Sequence, residues 1–324
     1  MVTEERCWTI AAMGYSPAMD GHGIRRQHVA VIGTGTMGLA MARNLARAGL
    51  DVRAWDKSIE RAMPLADDGV TVCSTAVDAA IECDFLLTMV PDAAAVLDSA
   101  PAALGGMAPG GIWIQSSTIG DAAIERCLAL AAEADVEFVD APVLGTREPA
   151  EAGALVVLAA GSPAALDACA PVFDAIAERV VKLGDAGSGT RLKLAINTWI
   201  IGQANLLAET LSLVQQLGGD PLDLFGAVKG GPLEIPQVVQ MRAQTMLEQS
   251  FSNVTLRLTL ARKDAELALE AARQRGLELP ILAAIAERMR SAERAGHGDL
   301  DYAATYLVTA PTLPAASGPP GSDG

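Results

Sequence analysis

The chain has 324 residues, 51% of them apolar and 19% charged, a globular composition that is long for one core and points to two domains. The formal net charge of −15, with no long acidic block, describes a solvated surface that repels nucleic-acid phosphates. No uninterrupted apolar run reaches the length of a membrane span.

Residues 1–27 lack the charged, apolar, small-residue order of a secretory signal. They show no periodicity and read as a flexible extension, with Met13 and Met19 as alternative starts. Residues 28–32 (HVAVI) form a buried strand that runs into Gly33-Thr34-Gly35-Thr36-Met37-Gly38. A helix over 39–48, stopped by Gly49, and a second strand over 52–55, ending at Asp56, complete a βαβ unit. The alternation continues with helices over 60–67 and 76–81 and a short strand at Thr71 and Val72. Further strands are expected over 85–90, 112–115, 136–139 and 155–159, which predicts a mostly parallel sheet covered on both faces.

The pattern changes at Gly187-Ser188-Gly189. Helices are expected over 191–217, 221–228, 238–248, 256–275 and 281–295, with no strand beyond about residue 184. The first of them is apolar nearly all round, including Leu194, Trp199, Leu206 and Leu211, which predicts burial, part of it under a second subunit. Residues 311–324, rich in Pro, Gly and Ser, read as a disordered tail. The expected fold class is therefore α/β: an N-terminal Rossmann-type domain over 28–190, then an all-α domain over 191–310.

Five cysteines (Cys7, Cys73, Cys83, Cys127, Cys169), odd in number and without a C-x-x-C pair, fit a reduced, cytoplasmic compartment. The three histidines, His22, His28 and His297, offer no metal-ligand spacing and no Ser–His–acid set, so no metal is expected and proton transfer falls to another residue.

The glycine turn carries the first functional signal. Gly33 permits a tight turn, Gly35 lets the backbone approach a pyrophosphate, and Gly38 lets helix and strand pack closely, with the helix N-terminus facing the phosphates. Asp56 stands where a ribose-reading residue belongs and would repel a 2′-phosphate, whereas Lys57, Ser58 and Arg61 just after it would hold one. Both NAD and NADP stay open on these residues. The second signal is Lys193 with Asn197, four apart on one face of an otherwise apolar helix. A lysine there is exposed, paired or functional.

The run Gly-Thr-Gly-Thr-Met-Gly-Leu-Ala-Met-Ala-Arg-Asn-Leu over residues 33–45 resembles the signature of the β-hydroxyacid dehydrogenase family. Asp140-Ala141-Pro142-Val143 resembles that family's substrate loop. Gly187-Ser188-Gly189 with Lys193 and Asn197 resembles its catalytic helix, and Lys263-Asp264 with Leu267-Ala268-Leu269 its segment closing over the nicotinamide. The resemblance runs in order from about residue 28 to about 307, and the loop over 145–151 is nearest the glyoxylate and succinic semialdehyde reductase branch.

It implies that Lys193 is the general acid and base and that Asn197 orients it or the substrate. Ser117 and Thr118 would line the substrate site with Leu144, Gly145, Thr146, Leu256 and Asp264. Thr34, Thr36, Met37, Met89, Val90, Pro91 and Lys263 would join the three glycines, Asp56, Lys57 and Ser58 around the dinucleotide. The segment Trp55-Asp56-Lys57-Ser58 is similar to the Trp-Asn-Arg-Thr form common among NADP users, with its central residues changed, which tips the expectation towards NADP(H). A homodimer through the helical domain is implied as well.

The chain departs from the family pattern in two places. Leu144 stands where a serine hydroxyl would meet the substrate carboxylate, and Leu256 where the reductase branch often has an aromatic residue. Both favour a more apolar or larger substrate than glyoxylate. Leu144 also keeps an imine reductase acting on C=N bonds as the alternative, against which Lys193 argues.

Overall fold

A computed structural model describes residues 27–309, and these fall into two compact units that part between Leu194 and Ala195. The expected extension (all but Gln27) and the expected tail lie outside the described residues.

The first unit is built on a six-stranded parallel sheet of β1 (His28–Ile32), β2 (Asp51–Trp55), β3 (Thr71–Val72), β4 (Phe85–Thr88), β5 (Ile112–Gln115) and β6 (Glu137–Asp140) in the order β3-β2-β1-β4-β5-β6. The strands read as continuous apolar runs because both faces are covered. Val29, Val31, Val52, Ala54, Phe85, Leu87, Ile112 and Ile114 enter one core, packed by Met41 and Leu45 of α1 (Thr36–Arg47). Ala30, Ile32, Leu86, Trp113 and Phe138, one residue out of phase, enter the other. That second core is closed by α3 (Ala76–Ala80), α4 (Ala93–Leu104) and α5 (Asp121–Glu133). Between β2 and β3 the chain forms a four-residue α2 (Ile59–Ala62) that tightens into a 3₁₀ turn over Met63–Asp68 at Pro64, where one continuous helix was expected.

A second sheet corrects the expectation of a single one. β7 (Val143–Leu144), β8 (Leu155–Ala159) and β9 (Ala177–Lys182) form it, β7 antiparallel and β9 parallel to β8. Here α6 (Arg147–Glu151) joins β7 to β8, and α7 (Pro163–Ala168) and α8 (Ala170–Ile176) join β8 to β9. The 155–159 strand reads like those of the parallel sheet, since a buried apolar run does not say which sheet it joins. Two boundaries also differ. The first helix begins at Thr36, inside the glycine motif, and β4 ends at Thr88, because the Val90 N–H turns to the Ser117 hydroxyl instead of a neighbouring strand.

The second unit is helical. It takes up most of α9 (Ser188–Gln216), then α10 (Pro221–Val228), α11 (Gln237–Leu247), α12 (Leu258–Arg273) and α13 (Pro280–Ala292), a π turn over Glu293–His297 and a 3₁₀ helix over Tyr302–Val308. Among the described residues no strand follows β9. Alanines 261, 265, 268, 272, 286 and 292 bring α12 and α13 close together. A buried Asp301 accepts from Arg242, Thr255 and Ala303 and ties the chain before α12 to the 3₁₀ helix. The all-round burial expected of α9 is found on one stripe only. Ile201, Ala204, Leu207, Ala208 and Leu211 are buried, whereas Trp199, Leu206 and Leu213, seven apart, are 68%, 65% and 58% exposed. One chain supplies packing for a single face of the helix.

Candidate active site

Sheet order 3-2-1-4-5-6 reverses direction between β1 and β4, the crevice where open α/β sheets hold ligands. The glycine turn leaves β1 there. Gly33 sits at φ +95°, its N–H bonded to the Trp55 carbonyl at 2.8 Å, and a Cβ on it would overlap the Met89 carbonyl oxygen. Gly38 packs so tightly that a Cβ would overlap the Gly33 oxygen, yet a Cβ on Gly35 would meet nothing within 4 Å. Gly35 and Thr36 are exposed and Met37 half-buried at the start of α1, which has no side-chain cap and no acidic residue in its first turn. The orphan N–H groups of that turn and their partial positive charge make an open anion cradle. These features fit a dinucleotide pyrophosphate.

Asp56 directly follows β2 and is nearly buried. Its Oδ2 accepts the Thr34 N–H at 2.8 Å and its Oδ1 the Ser58 N–H at 2.9 Å. The carboxylate thus holds the glycine turn and the turn after β2. Lys57 beside it is exposed. The Ser58 hydroxyl donates to Glu60, whose carboxyl this bond holds below the ordinary range. Glu60 went unnoticed in the sequence, where it looks like any surface residue.

The loop of Met89, Val90 and Pro91 lies against the glycine turn. It is pinned by a buried chain of hydrogen bonds across β4 and β5. The Trp113 indole N–H donates to Thr88 Oγ1 at 3.0 Å and Thr88 Oγ1 to Gln115 Oε1 at 3.3 Å. Gln115 Oε1 also accepts the Ser117 N–H, Gln115 Nε2 donates to the Ser117 carbonyl, and Ser117 Oγ accepts the Val90 N–H at 2.8 Å. Ser117 is 1% exposed and faces this network, while Thr118 is half-buried at the strand end. Gln115 and Thr88 are further residues that the sequence alone did not single out.

Lys193 reaches β7, its Nζ donating to the Val143 carbonyl at 2.8 Å. Leu144 follows on β7, Gly145 at φ +132° turns the chain, and Thr146 opens α6. Gly145, Thr146 and Leu144 are all at least partly exposed. Asp140, at the end of β6, is buried and accepts from Gly187 and Thr190 at the start of α9. Burial pushes its carboxyl above the ordinary range, opposed by the Thr190 and Gly187 bonds and by Arg191. In the second unit Asn197 Nδ2 donates to Asp264 Oδ2 at 2.7 Å, and Lys263 Nζ stands 3.0 Å from Asp264 Oδ1. Leu256, half-buried, is held through its backbone by Asp301 and Tyr302. Burial pushes the thiols of Cys83, Cys127 and Cys169 up to about 12, which removes them as nucleophiles. Among the described residues no group of three or more His, Cys, Asp or Glu is placed to hold a metal ion.

Comparison with known proteins agrees with the fold. Residues 28–184 match the family model described as the NAD binding domain of 6-phosphogluconate dehydrogenase. Residues 187–309 match that of the NAD-binding domain of NADP-dependent 3-hydroxyisobutyrate dehydrogenase. The chain is 31% identical to the L-threonate dehydrogenase of Cupriavidus necator, covering 87% of this chain and 96% of that one. It is 29% identical to glyoxylate/succinic semialdehyde reductase 1 of Arabidopsis thaliana, over 85% and 96% of the two chains. The solved structure of the Mycobacterium tuberculosis 3-hydroxyisobutyrate dehydrogenase with L-serine superposes with a TM-score of 0.79 at 28% identity, covering 87% of this chain and 99% of that one.

Proposed function

The chain belongs to the β-hydroxyacid dehydrogenase family, and from that premise we propose that it is an NAD(P)-dependent oxidoreductase acting on a small aldehyde acid or β-hydroxy acid, with Lys193 as general acid and base. The observation that carries the reading is the Lys193 ammonium held on the Val143 carbonyl, beside the loop of Leu144, Gly145 and Thr146. A bound nicotinamide dinucleotide supplies or takes the hydride. Gly33, Thr34, Gly35, Thr36, Met37 and Gly38 would hold its pyrophosphate, with Met89, Val90 and Pro91 beside the turn. Lys193 gives a proton to the carbonyl oxygen in reduction and removes it from the hydroxyl in oxidation. An ammonium carries three donors, so the Val143 bond orients the group while the substrate oxygen takes another. Asp264 fixes which way the Asn197 amide faces, one turn along the helix from Lys193. Thr118 and the backbone of Gly145 and Thr146 would receive the substrate, with Leu144 as an apolar wall, and Ser117 holds the loop of Met89, Val90 and Pro91.

NADP(H) is the favoured cofactor. Both Asp56 oxygens already accept backbone N–H groups, which competes with their taking the ribose hydroxyls of NAD, and Lys57 is exposed beside it to meet a 2′-phosphate. The protein acts as a cytoplasmic homodimer. Trp199, Leu206 and Leu213 recur every seven residues along the exposed side of α9, a seam for a second copy. No helix among the described residues is long and apolar enough to cross a membrane.

The test is a screen of the purified protein with NADH and NADPH against glyoxylate, succinic semialdehyde, methylglyoxal and a cyclic imine, followed at the reduced-nicotinamide band. Turnover of an aldehyde acid supports the reading. Turnover of the imine alone replaces it with C=N reduction.

A further inference from the structure

We infer that Asp140 is a positioning residue for Lys193: its carboxylate locks the first turn of α9 and so fixes where the ammonium stands against β7. The inference rests on the reading of Lys193 as proton donor.

Asp140 is the last residue of β6, and its main chain is held on both sides. Its N–H donates to the Ala160 carbonyl at 2.9 Å and its own carbonyl accepts from the Ala160 N–H at 2.8 Å. The side chain is 0% exposed. Oδ2 accepts the N–H groups of Gly187 at 3.1 Å and Thr190 at 2.8 Å, and Oδ1 accepts the Thr190 hydroxyl at 2.7 Å. The first N–H groups of a helix have no partner within it, and a carboxylate there both satisfies them and complements the helix dipole. Gly189 completes the seat. A Cβ on it would overlap the Leu158 carbonyl oxygen and lie 3.1 Å from Asp140 Oδ2, so the helix start rests directly on the ends of β6 and β8.

Lys193 lies three residues beyond Thr190, and its ammonium bonds to Val143, three residues beyond Asp140. The same short segment therefore grips α9 at two points, the carboxylate on Thr190 and a carbonyl on Lys193. Arg191 between them is bound to Asp121 at 2.7 Å and Glu125 at 3.4 Å, which opposes rotation of the helix. A serine or asparagine would cap a helix without burying a charge. A buried carboxylate costs far more, and what it adds is three simultaneous bonds of fixed direction.

The experiment measures kcat, KM, NADPH affinity and melting temperature for Asp140→Asn, Thr190→Val and Thr190→Ser, and for Asp140→Asn combined with Lys193→Ala. Asp140→Asn is expected to lower kcat about 100-fold, the scale of a misplacement of ~1 Å in a reacting group, with KM and NADPH affinity changed by less than about threefold. Thr190→Val loses about tenfold in kcat, and Thr190→Ser, which keeps the hydroxyl, restores it. In the Lys193→Ala background Asp140→Asn adds no further loss, because the group it positions is gone. A folded Asp140→Asn with kcat within about twofold of wild type, or losses that multiply in the double variant, overturns the inference. If Asp140→Asn does not fold, the Thr190 pair decides, and equal kcat for Thr190→Val and Thr190→Ser rejects it. Full activity of Lys193→Ala alone refutes the underlying reading of Lys193 instead.

Discussion

Gly35→Ala separates the two jobs of the glycine turn. The residue has φ −65° and ψ −171°, open to any L-residue, and its added methyl would meet no heavy atom within 4 Å. Alanine there restricts the unfolded chain, worth ~0.4–1 kcal/mol in favour of folding, and is a poorer N-cap than glycine by a similar amount. The two effects offset each other, so the melting temperature should move by no more than about 2 °C. Dinucleotide binding should suffer, because the methyl stands where a pyrophosphate approaches the helix N-terminus. Losing one charge-assisted bond of ~1.5–3 kcal/mol weakens Kd roughly 10- to 100-fold. Gly33→Ala and Gly38→Ala should fail differently. Their methyls overlap the carbonyl oxygens of Met89 and Gly33, and Gly33 adds a φ of +95°. Strain and overlap of ~1–3 kcal/mol each lower the melting temperature by about 5–10 °C. Thermal melts beside NADPH fluorescence titrations give both readings. Wild-type NADPH affinity in a stably folded Gly35→Ala would refute the assignment of the cradle.

Three more outcomes follow from the same geometry. Asp56→Asn should raise the preference for NADPH over NADH in kcat/KM about tenfold, the worth of one removed like-charge contact of ~1.4 kcal/mol; an unchanged ratio would leave Asp56 as a holder of the turn alone. The thiols of Cys83, Cys127 and Cys169 are pushed up to about 12, so the unfolded chain releases their protons first. The stability this contributes is present below the ordinary thiol value and lost as pH climbs towards 12, so alanine at all three should flatten the fall in melting temperature above about pH 9, and an unaltered slope would contradict it. Leu206→Asp, on the exposed seam of α9, should convert a dimer to a monomer in size-exclusion chromatography, and an unchanged elution volume would place the interface elsewhere.

The strand, glycine turn and helix over β1 and α1 were legible because each residue there has a local reason: apolar runs for burial on two faces, glycines for close approach. The second sheet was not. Residues 155–159 look like any central strand, and only the return of the chain through Val143 and Leu144 decides their partners. The half-exposed state of α9 was hidden for a related reason, since a sequence apolar on every side does not say whether its own chain covers each side. At the site, Lys193 and Asn197 stood out as polar positions on an apolar helix. Ser117 also stood out, but its hydroxyl proves to face the Val90 N–H, a direction that spacing along a strand end does not encode. Asp140 was visible as part of a motif; its hold on Thr190 joins residues 50 apart in sequence.

The central claim is that Lys193 moves the proton, and single-turnover reduction of an aldehyde acid by pre-bound NADPH tests it most directly. Lys193→Ala should bind NADPH as wild type does and transfer hydride about 10²- to 10⁴-fold more slowly, the usual worth of a positioned acid. A single-turnover rate near that of wild type would remove Lys193 from the chemistry.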